Sequence, residues 1–175
     1  MSEPPRILLI TGGGKGKTTA ALGLALRSAG HGMRVLFLQF VKQDETTGEY
    51  AALKDVGSIE IVTTGRGFVP AADSEHFPSH QKAAQAGLDL ARQGVTSGDY
   101  ATIVLDEICI AVCRGLIDEK DVLELCERLS DGMCLVMTGR NATPALIAAA
   151  DTVSEIQCVK HALQAGRPAQ KGVER

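Results

Sequence analysis

Residues 11–19 read Thr-Gly-Gly-Gly-Lys-Gly-Lys-Thr-Thr. An apolar run, Ile-Leu-Leu-Ile, leads into this stretch, and a pattern rich in Ala and Leu follows it. A strand, a Gly-rich loop and a helix in this order form the context that a phosphate-binding P-loop requires. The usual pattern, G-x-x-x-x-G-K-[ST], begins with Gly, whereas this chain has Thr11. A Gly-rich turn that only caps a helix is the alternative, but Gly16-Lys17-Thr18 in this setting favours a nucleoside triphosphate site.

The residue types in this loop suit phosphate chemistry. Consecutive glycines let backbone N–H groups converge on phosphate oxygens, and the helix N-terminus adds its dipole. Lys17 supplies a point charge, and the Thr18 hydroxyl is placed to ligate Mg²⁺. The residues expected to bind the nucleotide here are Gly12, Gly13, Gly14, Lys15, Gly16, Lys17, Thr18 and Thr19.

Composition limits the classes of protein that remain. With 175 residues, 45% of them hydrophobic and 22% charged, we expect one globular domain over 1–175. A net charge of -3 and the lack of a basic run argue against a nucleic-acid partner. No apolar run approaches the ~18 residues of a membrane span. The N-terminal stretch lacks the features of a signal peptide, so we expect a cytoplasmic protein without a membrane partner.

Apolar runs and helical patterns alternate along the chain. Strands are predicted at 6–10, 34–40, 58–62, 101–105, 133–137 and 152–157, and helices at 17–29, 50–56, 80–96, from 117–118 onward and at 143–150. Residues 1–5 are predicted to be a loose lead, 41–50 a loop and 63–79 a long active-site loop. The alternation predicts an α/β fold with a mostly parallel sheet flanked by helices.

The strand at 101–105 delivers Asp106 and Glu107 at its C-terminal end. Ligands of open α/β sheets bind at that edge, where the first strand also delivers the P-loop. Asp106 is a candidate Mg²⁺ ligand. Glu107 is either a second metal contact or a residue that orients water; the alternative is a helix N-terminal acid stabilised by the dipole.

Three further side chains are weaker candidates. Lys42 follows the second strand and can reach the site, although a solvated loop lysine explains it nearly as well. Arg140 follows the fifth strand, in the position of a phosphate clamp or of a surface ion pair. His161 is more often a structural or surface histidine than a catalyst. The five cysteines show no zinc spacing, so we expect buried free thiols.

The chain resembles the P-loop ATP:corrinoid adenosyltransferases, which act on cob(I)alamin or cob(I)yrinic acid a,c-diamide. The most specific block is Val159-Lys-His161 followed by Ala169-Gln-x-Gly172, because general ATPases lack it. That family's P-loop also begins with Thr. The other matching stretches are residues 29–32, 39–42, 48–49, 65–68, 104–107, 138–140 and 150–155.

The resemblance implies a RecA-like sheet, a homodimer and an unusual use of ATP. A Co(I) corrinoid, formed by a Co(II) reductant, attacks the ribose C5′, and the whole triphosphate leaves. Lys17, Mg²⁺ and the acids, among them Glu107, then stabilise the charge on the leaving group. Co(I) is a strong nucleophile, so no general base is needed.

Phe68 occupies the family's Gly-x-Gly-Phe position, where aromatic side chains help to strip the axial ligand from cobalt. Two departures accompany it: Pro70 stands where the family commonly has Trp, and residues 108–113 are apolar where the family has polar or aromatic residues. The first predicted strand lies close to the start of the sequence, so we do not expect the N-terminal extension that some members fold over the site.

Two other functions remain open on the residues alone. One is a P-loop ATPase or kinase that releases ADP or a phosphorylated product. The other is a nucleotide-binding regulator without turnover. The product separates them, since only adenosyl transfer yields inorganic triphosphate and a 5′-deoxyadenosyl adduct.

Overall fold

The structure, a computed structural model, describes residues 3–43 and 47–173. Residues 1–2 of the predicted lead, 44–46 of the predicted loop and 174–175 of the polar tail lie outside the described residues. The strands are β1 Arg6–Thr11, β2 Val35–Gln39, β3 Ile59–Thr63, β4 Thr102–Asp106, β5 Cys134–Thr138 and β6 Thr152–Glu155. The helices are α1 Lys17–Gly30, α2 Gly48–Lys54, α3 Phe77–Ser97, α4 Ile108–Cys113, α5 Glu119–Glu127 and α6 Pro144–Ala149, followed by a 3-10 turn, Ala162–Ala165.

The described strands form one parallel sheet in the order β3-β2-β4-β5-β1-β6. The predicted parallel α/β architecture is therefore confirmed. β5 lies between β1, which carries the P-loop, and β4, which carries Asp106. All parallel strands end at the same edge, so this order brings three strand ends together at the site.

Helices cover the sheet on both faces. Every residue of β2 and β4 is buried, which explains why their sequences are continuous apolar runs rather than alternating ones. Leu36 and Leu38 belong to one hydrophobic cluster with α3 and α5, whereas Val35 and Phe37 belong to a second cluster with α1. Successive strand residues point to opposite faces, so one short segment serves both cores.

Local sequence signals mark several helix boundaries correctly. Asp118 caps α5 by accepting a hydrogen bond from the Lys120 N–H. Thr143 caps α6 by accepting one from the Leu146 N–H, with Pro144 in the first helical turn. Helical spacing within residues 80–96 predicts one apolar stripe on α3, and its four members are buried: Ala84, Leu88, Ala91 and Val95.

Other local predictions are wrong. Helical spacing predicts Leu26 on the buried face of α1, but Leu26 is 49% exposed, because α1 packs on the sheet through the small side chains of Ala21 and Ala25. α1 includes Gly30, which is predicted to end it. α3 begins at Phe77, whose side chain is buried, so the loop before it is shorter than predicted. Residues 108–113 form a helix of their own, α4, which the pattern does not predict.

The cysteines do not share one environment. Cys109 and Cys126 are buried, and burial raises their pKa values to about 12 and about 11. Cys113 and Cys158 are exposed, so the prediction of buried thiols is wrong for these two. In the described ranges no group of three His, Cys, Asp or Glu residues could hold a metal, and no helix is long and apolar enough to cross a bilayer.

Candidate active site

The P-loop wraps between β1 and α1 with two glycines in the left-handed region. Gly12 has φ 100° and Gly16 has φ 123°, conformations that residues with a Cβ rarely adopt. The loop is also tied to the chain that leaves β6. The Gly14 N–H donates to the Ile156 carbonyl at 2.7 Å, and the Ile156 N–H donates to the Thr11 carbonyl at 2.8 Å.

This tie gives two of the glycines a packing role that the sequence did not reveal. A Cβ on Gly12 would lie 2.4 Å from the Ile156 carbonyl oxygen, and one on Gly14 would lie 2.7 Å from the Gln157 carbonyl oxygen. A Cβ on Gly13 would meet nothing within 4 Å. Gly12 and Gly14 are therefore required by the backbone beneath the loop, in addition to any approach of phosphate above it.

Lys17 is held inside the loop that it follows. Its side chain donates to the carbonyl oxygens of Gly12 at 2.9 Å and Gly14 at 2.7 Å, and the residue is only 6% exposed. Burial lowers the pKa of Lys17, Glu107 opposes this shift, and Arg140 reinforces it. The ammonium is thus fixed at the inner end of the loop.

Asp106 is the centre of the hydrogen-bond network at the strand ends. It is fully buried, and its Oδ1 accepts hydrogen bonds from the Thr18 hydroxyl at 2.9 Å and the Thr138 hydroxyl at 2.7 Å. Thr138 ends β5 and also accepts from the Glu107 N–H at 2.9 Å. The side chain of Asp106 is therefore oriented by the first turn of α1 and by the end of β5.

The other oxygen of Asp106 suits a divalent cation. Among the described residues no hydrogen bond is donated to the buried Oδ2, and the Lys42 Nζ lies 3.5 Å from it as an ion-pair partner. A buried carboxylate oxygen without a donor is costly unless a cation compensates it. One carboxylate, the Thr18 hydroxyl and nearby Glu107 match Mg²⁺, which commonly binds one or two carboxylates and completes its shell with phosphates and water.

Glu107 adopts a conformation that sets it apart from an ordinary helix-capping acid. Its backbone is left-handed, with φ 64°, and its side chain makes no capping hydrogen bond to α4. Burial raises the pKa of Glu107, Asp106 raises it further, and Lys17 opposes the shift. These features favour a role in the site over the dipole-stabilised acid.

Lys42 joins the site to α2. Its Nζ donates to Glu49 Oε1 at 3.0 Å. Burial disfavours the ammonium, but Asp106 and Glu49 together raise the pKa of Lys42. Burial opposes ionisation of Glu49 as well, and the hydrogen bond from Lys42 prevails to lower its pKa. Lys42 is thus an ion-paired residue of the site and not a solvated loop lysine.

A cavity of about 550 Å³ opens above the P-loop. It brings together most of the predicted site residues, whereas Gly12, Gly13, Asp106 and Phe68 do not line it. Arg140 faces the cavity, and no ion pair is found for it within the described ranges, which favours the phosphate clamp over the surface salt bridge. The lining residues predicted from sequence are Gly14, Lys15, Gly16, Lys17, Thr18, Thr19, Lys42, Glu107 and Arg140.

Other lining residues have no role predicted from the residues alone. His161 was interpreted as a structural or surface histidine; it does cap the 3-10 turn, accepting from the Leu163 N–H, but it also faces the cavity. For Gly48, Glu49, His161 and Gly172 the only sequence signal is the family resemblance, whereas Leu22 and Val173 lie outside the stretches that carry it. The residues without a predicted role are Leu22, Gly48, Glu49, His161, Gly172 and Val173.

Phe68 lies on the loop between β3 and α3 with its side chain 87% exposed. That loop packs on the segment that carries Lys42. The Gly67 N–H donates to the Val41 carbonyl, and a Cβ on Gly65 would lie 2.4 Å from the Lys42 carbonyl oxygen. The loop that carries Phe68 therefore packs against the segment of Lys42, which lines the cavity, but Phe68 itself does not line it.

The sheet order and the site define a P-loop nucleotide-binding protein of the RecA type. A KaiC-like protein from the archaeon Pyrococcus horikoshii shares this fold, with a TM-score of 0.57 at 18% identity over 91% of this chain and 74% of that one. The predicted RecA-like P-loop fold is thereby confirmed.

The sequence places the protein more narrowly. Residues 3–175 match the family ATP:corrinoid adenosyltransferase BtuR/CobO/CobP. A corrinoid adenosyltransferase of Pseudomonas aeruginosa is 37% identical over 96% of this chain and 82% of its own length, and one of Escherichia coli K12 is 33% identical over 96% and 84%. The chain belongs to the ATP:corrinoid adenosyltransferase family. It is therefore a transferase that uses ATP and a corrinoid, as the resemblance implied.

Proposed function

We propose that the cavity holds the triphosphate of ATP as a leaving group while a Co(I) corrinoid attacks the ribose C5′. The observation that carries this proposal is the set of cationic side chains around one cavity: Lys15, Lys17, Lys42 and Arg140. Fixed positive charge in a partly closed site stabilises negative charge that develops during a reaction.

The step balances without any further reactant. The lone pair of Co(I) forms the Co–C5′ bond, the C5′–O5′ bond breaks, and its electron pair leaves with inorganic triphosphate. The cobalt ends as Co(III), and a separate reductant must supply Co(I) beforehand. The protein's task is to bind, to orient and to stabilise charge.

Three residues would hold Mg²⁺ in this scheme: Thr18, Asp106 and Glu107. The ion would neutralise part of the triphosphate charge and so make it a better leaving group. Support comes from the buried Oδ2 of Asp106, which accepts no hydrogen bond within the described residues, and from Glu107, which lines the same cavity as Thr18. A bound cation would favour the ionised form of both carboxylates.

Phe68 is proposed to contact the corrinoid. An exposed aromatic side chain on a loop beside the Lys42 segment suits the flat, apolar face of a large ring system. Pro70 offers much less apolar area than a Trp, so Phe68 would serve without that partner.

The quaternary and cellular setting is likewise proposed. We infer a homodimer and a Co(II) reductant from the family resemblance, with light scattering of the purified protein as the test of the dimer. Free cysteines and the need for ATP and Co(I) support the cytoplasm.

The decisive experiment is product analysis. The protein is incubated with ATP, Mg²⁺ and a chemically reduced corrinoid, the cobalt spectrum is followed, and phosphate products are separated. Formation of triphosphate in equal amount to the alkyl-cobalt product supports the proposal. ADP as the product would indicate an ATPase or kinase, and tight binding without any product would indicate a regulator.

A further inference from the structure

Lys42 lies between two carboxylates with different surroundings. Its Nζ is 3.0 Å from Glu49 Oε1 and 3.5 Å from Asp106 Oδ2. The Asp106 side chain is fully buried, whereas the side chains of Lys42 and Glu49 are 30% and 24% exposed. One ammonium is therefore shared between a carboxylate of the proposed metal site and one outside it.

The ammonium and a divalent cation need the same oxygen. Asp106 Oδ1 already accepts from Thr18 and Thr138, which leaves Oδ2 as the oxygen that can bind a cation. Two cations on one buried oxygen repel each other strongly, because the surroundings screen them weakly. Metal binding at Asp106 and the Lys42–Asp106 ion pair therefore compete.

The backbone of Lys42 is poorly placed to relieve this competition. A Cβ on Gly65 would lie 2.3 Å from the Val41 carbonyl carbon and 2.4 Å from the Lys42 carbonyl oxygen, so the two segments are packed backbone to backbone. Any displacement of the ammonium must come from the flexible side chain. Glu49, in the first turn of α2, offers it a partner on the cavity wall.

We propose that Glu49 is the positioning residue that draws the Lys42 ammonium away from Asp106 Oδ2 when a divalent cation binds. The ammonium then remains at the cavity wall, where it faces the triphosphate. Glu49 would thus raise the affinity of the site for metal while keeping a phosphate-binding cation in place. This inference rests on the proposed role of Asp106 as a metal ligand.

The test is Mn²⁺ binding to the full chain without nucleotide, measured from the EPR signal of free Mn²⁺. Lys42→Met removes the competitor and should tighten binding. Glu49→Gln leaves Lys42 with Asp106 as its remaining partner and should weaken binding. Each change is expected to be about tenfold, within the usual range for coupled sites. Lys54→Met, an exposed lysine of the same helix, is the matched control and should change nothing.

The double variant separates positioning from simple electrostatics. If Glu49 acts through Lys42, then Lys42→Met with Glu49→Gln should bind Mn²⁺ as tightly as Lys42→Met alone. If Glu49 attracts the metal directly, its removal weakens binding equally in both backgrounds, and the inference is overturned. In turnover assays Glu49→Gln should raise the Mg²⁺ concentration for half-maximal activity more than it lowers kcat at saturating Mg²⁺.

Asp106→Asn distinguishes the inference from the function on which it rests. Unchanged Mn²⁺ binding in this variant means that the proposed metal site is wrong. If Asp106→Asn abolishes Mn²⁺ binding but Glu49→Gln has no effect on it, the metal site is supported and the proposed role of Glu49 is wrong. Should Lys42→Met fold poorly because Asp106 is left uncompensated, Lys42→Gln, which keeps a neutral hydrogen-bond donor beside Asp106, takes its place in the comparison with the double variant.

Discussion

The Thr18 hydroxyl donates a 2.9 Å hydrogen bond to Asp106 Oδ1, which joins the first turn of α1 to the end of β4. Thr138, at the end of β5, donates to the same oxygen at 2.7 Å. The first turn of α1 and the ends of β4 and β5 are thus connected through one buried carboxylate. Two hydroxyl groups that are distant from Asp106 in sequence therefore determine the orientation of its side chain.

Thr138→Val tests that orientation. The change keeps the shape of the side chain but removes the donor to Asp106 and the acceptor for the Glu107 N–H. Leaving such buried groups unsatisfied costs about 1–3 kcal/mol each. We expect lower stability in urea denaturation together with a higher Mg²⁺ requirement in turnover assays.

Thr102→Val is the matched control for this variant. Thr102 is buried at the other end of β4 and hydrogen-bonds to Ser28. Its replacement should lower stability while the Mg²⁺ requirement stays as in the wild type. Equal Mg²⁺ requirements in both valine variants would show that Thr138 does not orient Asp106 for metal.

Lys17→Met tests the P-loop assignment. The ammonium is replaced by an unbranched apolar side chain of similar length, so the loss of charge is the main change. Losing one positioned charge at a phosphate typically costs about 2–4 kcal/mol of transition-state stabilisation. We expect ATP binding and turnover to fall together by isothermal titration and product assay, and to fall much less in Lys15→Met, whose side chain is exposed in the same loop. Wild-type binding in Lys17→Met contradicts the assignment.

The P-loop glycines make a prediction about stability rather than catalysis. Gly14→Ala places a methyl group 2.7 Å from the Gln157 carbonyl oxygen, and overpacking of this kind typically costs about 1–3 kcal/mol. Gly13→Ala meets no atom within 4 Å. Thermal melts should therefore show a lower Tm for Gly14→Ala and a wild-type Tm for Gly13→Ala. Equal losses in both would mean that the segment after β6 does not pack beneath the loop.

The sequence predicts the location of a site residue where that residue ends a strand with a clear apolar pattern. Asp106 follows a continuous apolar run, and the rule for parallel sheets places it at the P-loop edge. The sequence does not predict Thr138 as the partner of Asp106. Their contact requires β5 to lie between β1 and β4, and the spacing of apolar residues does not reveal the order of strands in a sheet. The position of Thr138 at the end of a predicted strand was the available signal.

Side chains that reach the site from loops were harder to predict. The position of Lys42 depends on how Gly65 packs against its backbone, and the partner Glu49 depends on where α2 begins. Both are tertiary relationships between segments without periodic patterns. The prediction that Leu26 is buried was wrong for a related reason. Helical spacing identifies the apolar face of α1, but the small residues Ala21 and Ala25 decide which part of that face packs on the sheet.

The buried thiol of Cys126 predicts a dependence of stability on alkaline pH. Burial raises its pKa from 9.0 to about 11, so the folded state favours the protonated thiol. This contribution is fully present below pH 9.0 and is lost as pH rises through about 11. A tenfold difference in the acidity of the thiol between the folded and unfolded chain corresponds to about 1.4 kcal/mol of stability. Urea denaturation should show a steeper decline above pH 9 for the wild type than for Cys126→Ala, and equal slopes would contradict it.

Phe68 makes a prediction that concerns only the corrinoid. Its side chain is 87% exposed, so Phe68→Ala removes little packing and should leave the Tm unchanged. An axial ligand donates electron density to cobalt and makes Co(II) hard to reduce. An apolar side chain pressed against the ring excludes that ligand and water. Pro70 adds little apolar area to this contact, so the protein should be slow from a Co(II) corrinoid and much faster from preformed Co(I).

The measurement is the ratio of the rates from the two starting oxidation states. Phe68→Ala should widen the gap, because the defect lies in reduction and the transfer step does not use this side chain. Pro70→Trp should narrow it by restoring aromatic area next to Phe68. Leu26→Ala, which removes another exposed apolar side chain but lies outside the matched stretches, is the control and should leave the ratio unchanged. A ratio that stays constant in Phe68→Ala means that this loop does not touch the corrinoid, since no other step in the assay distinguishes the two starting states.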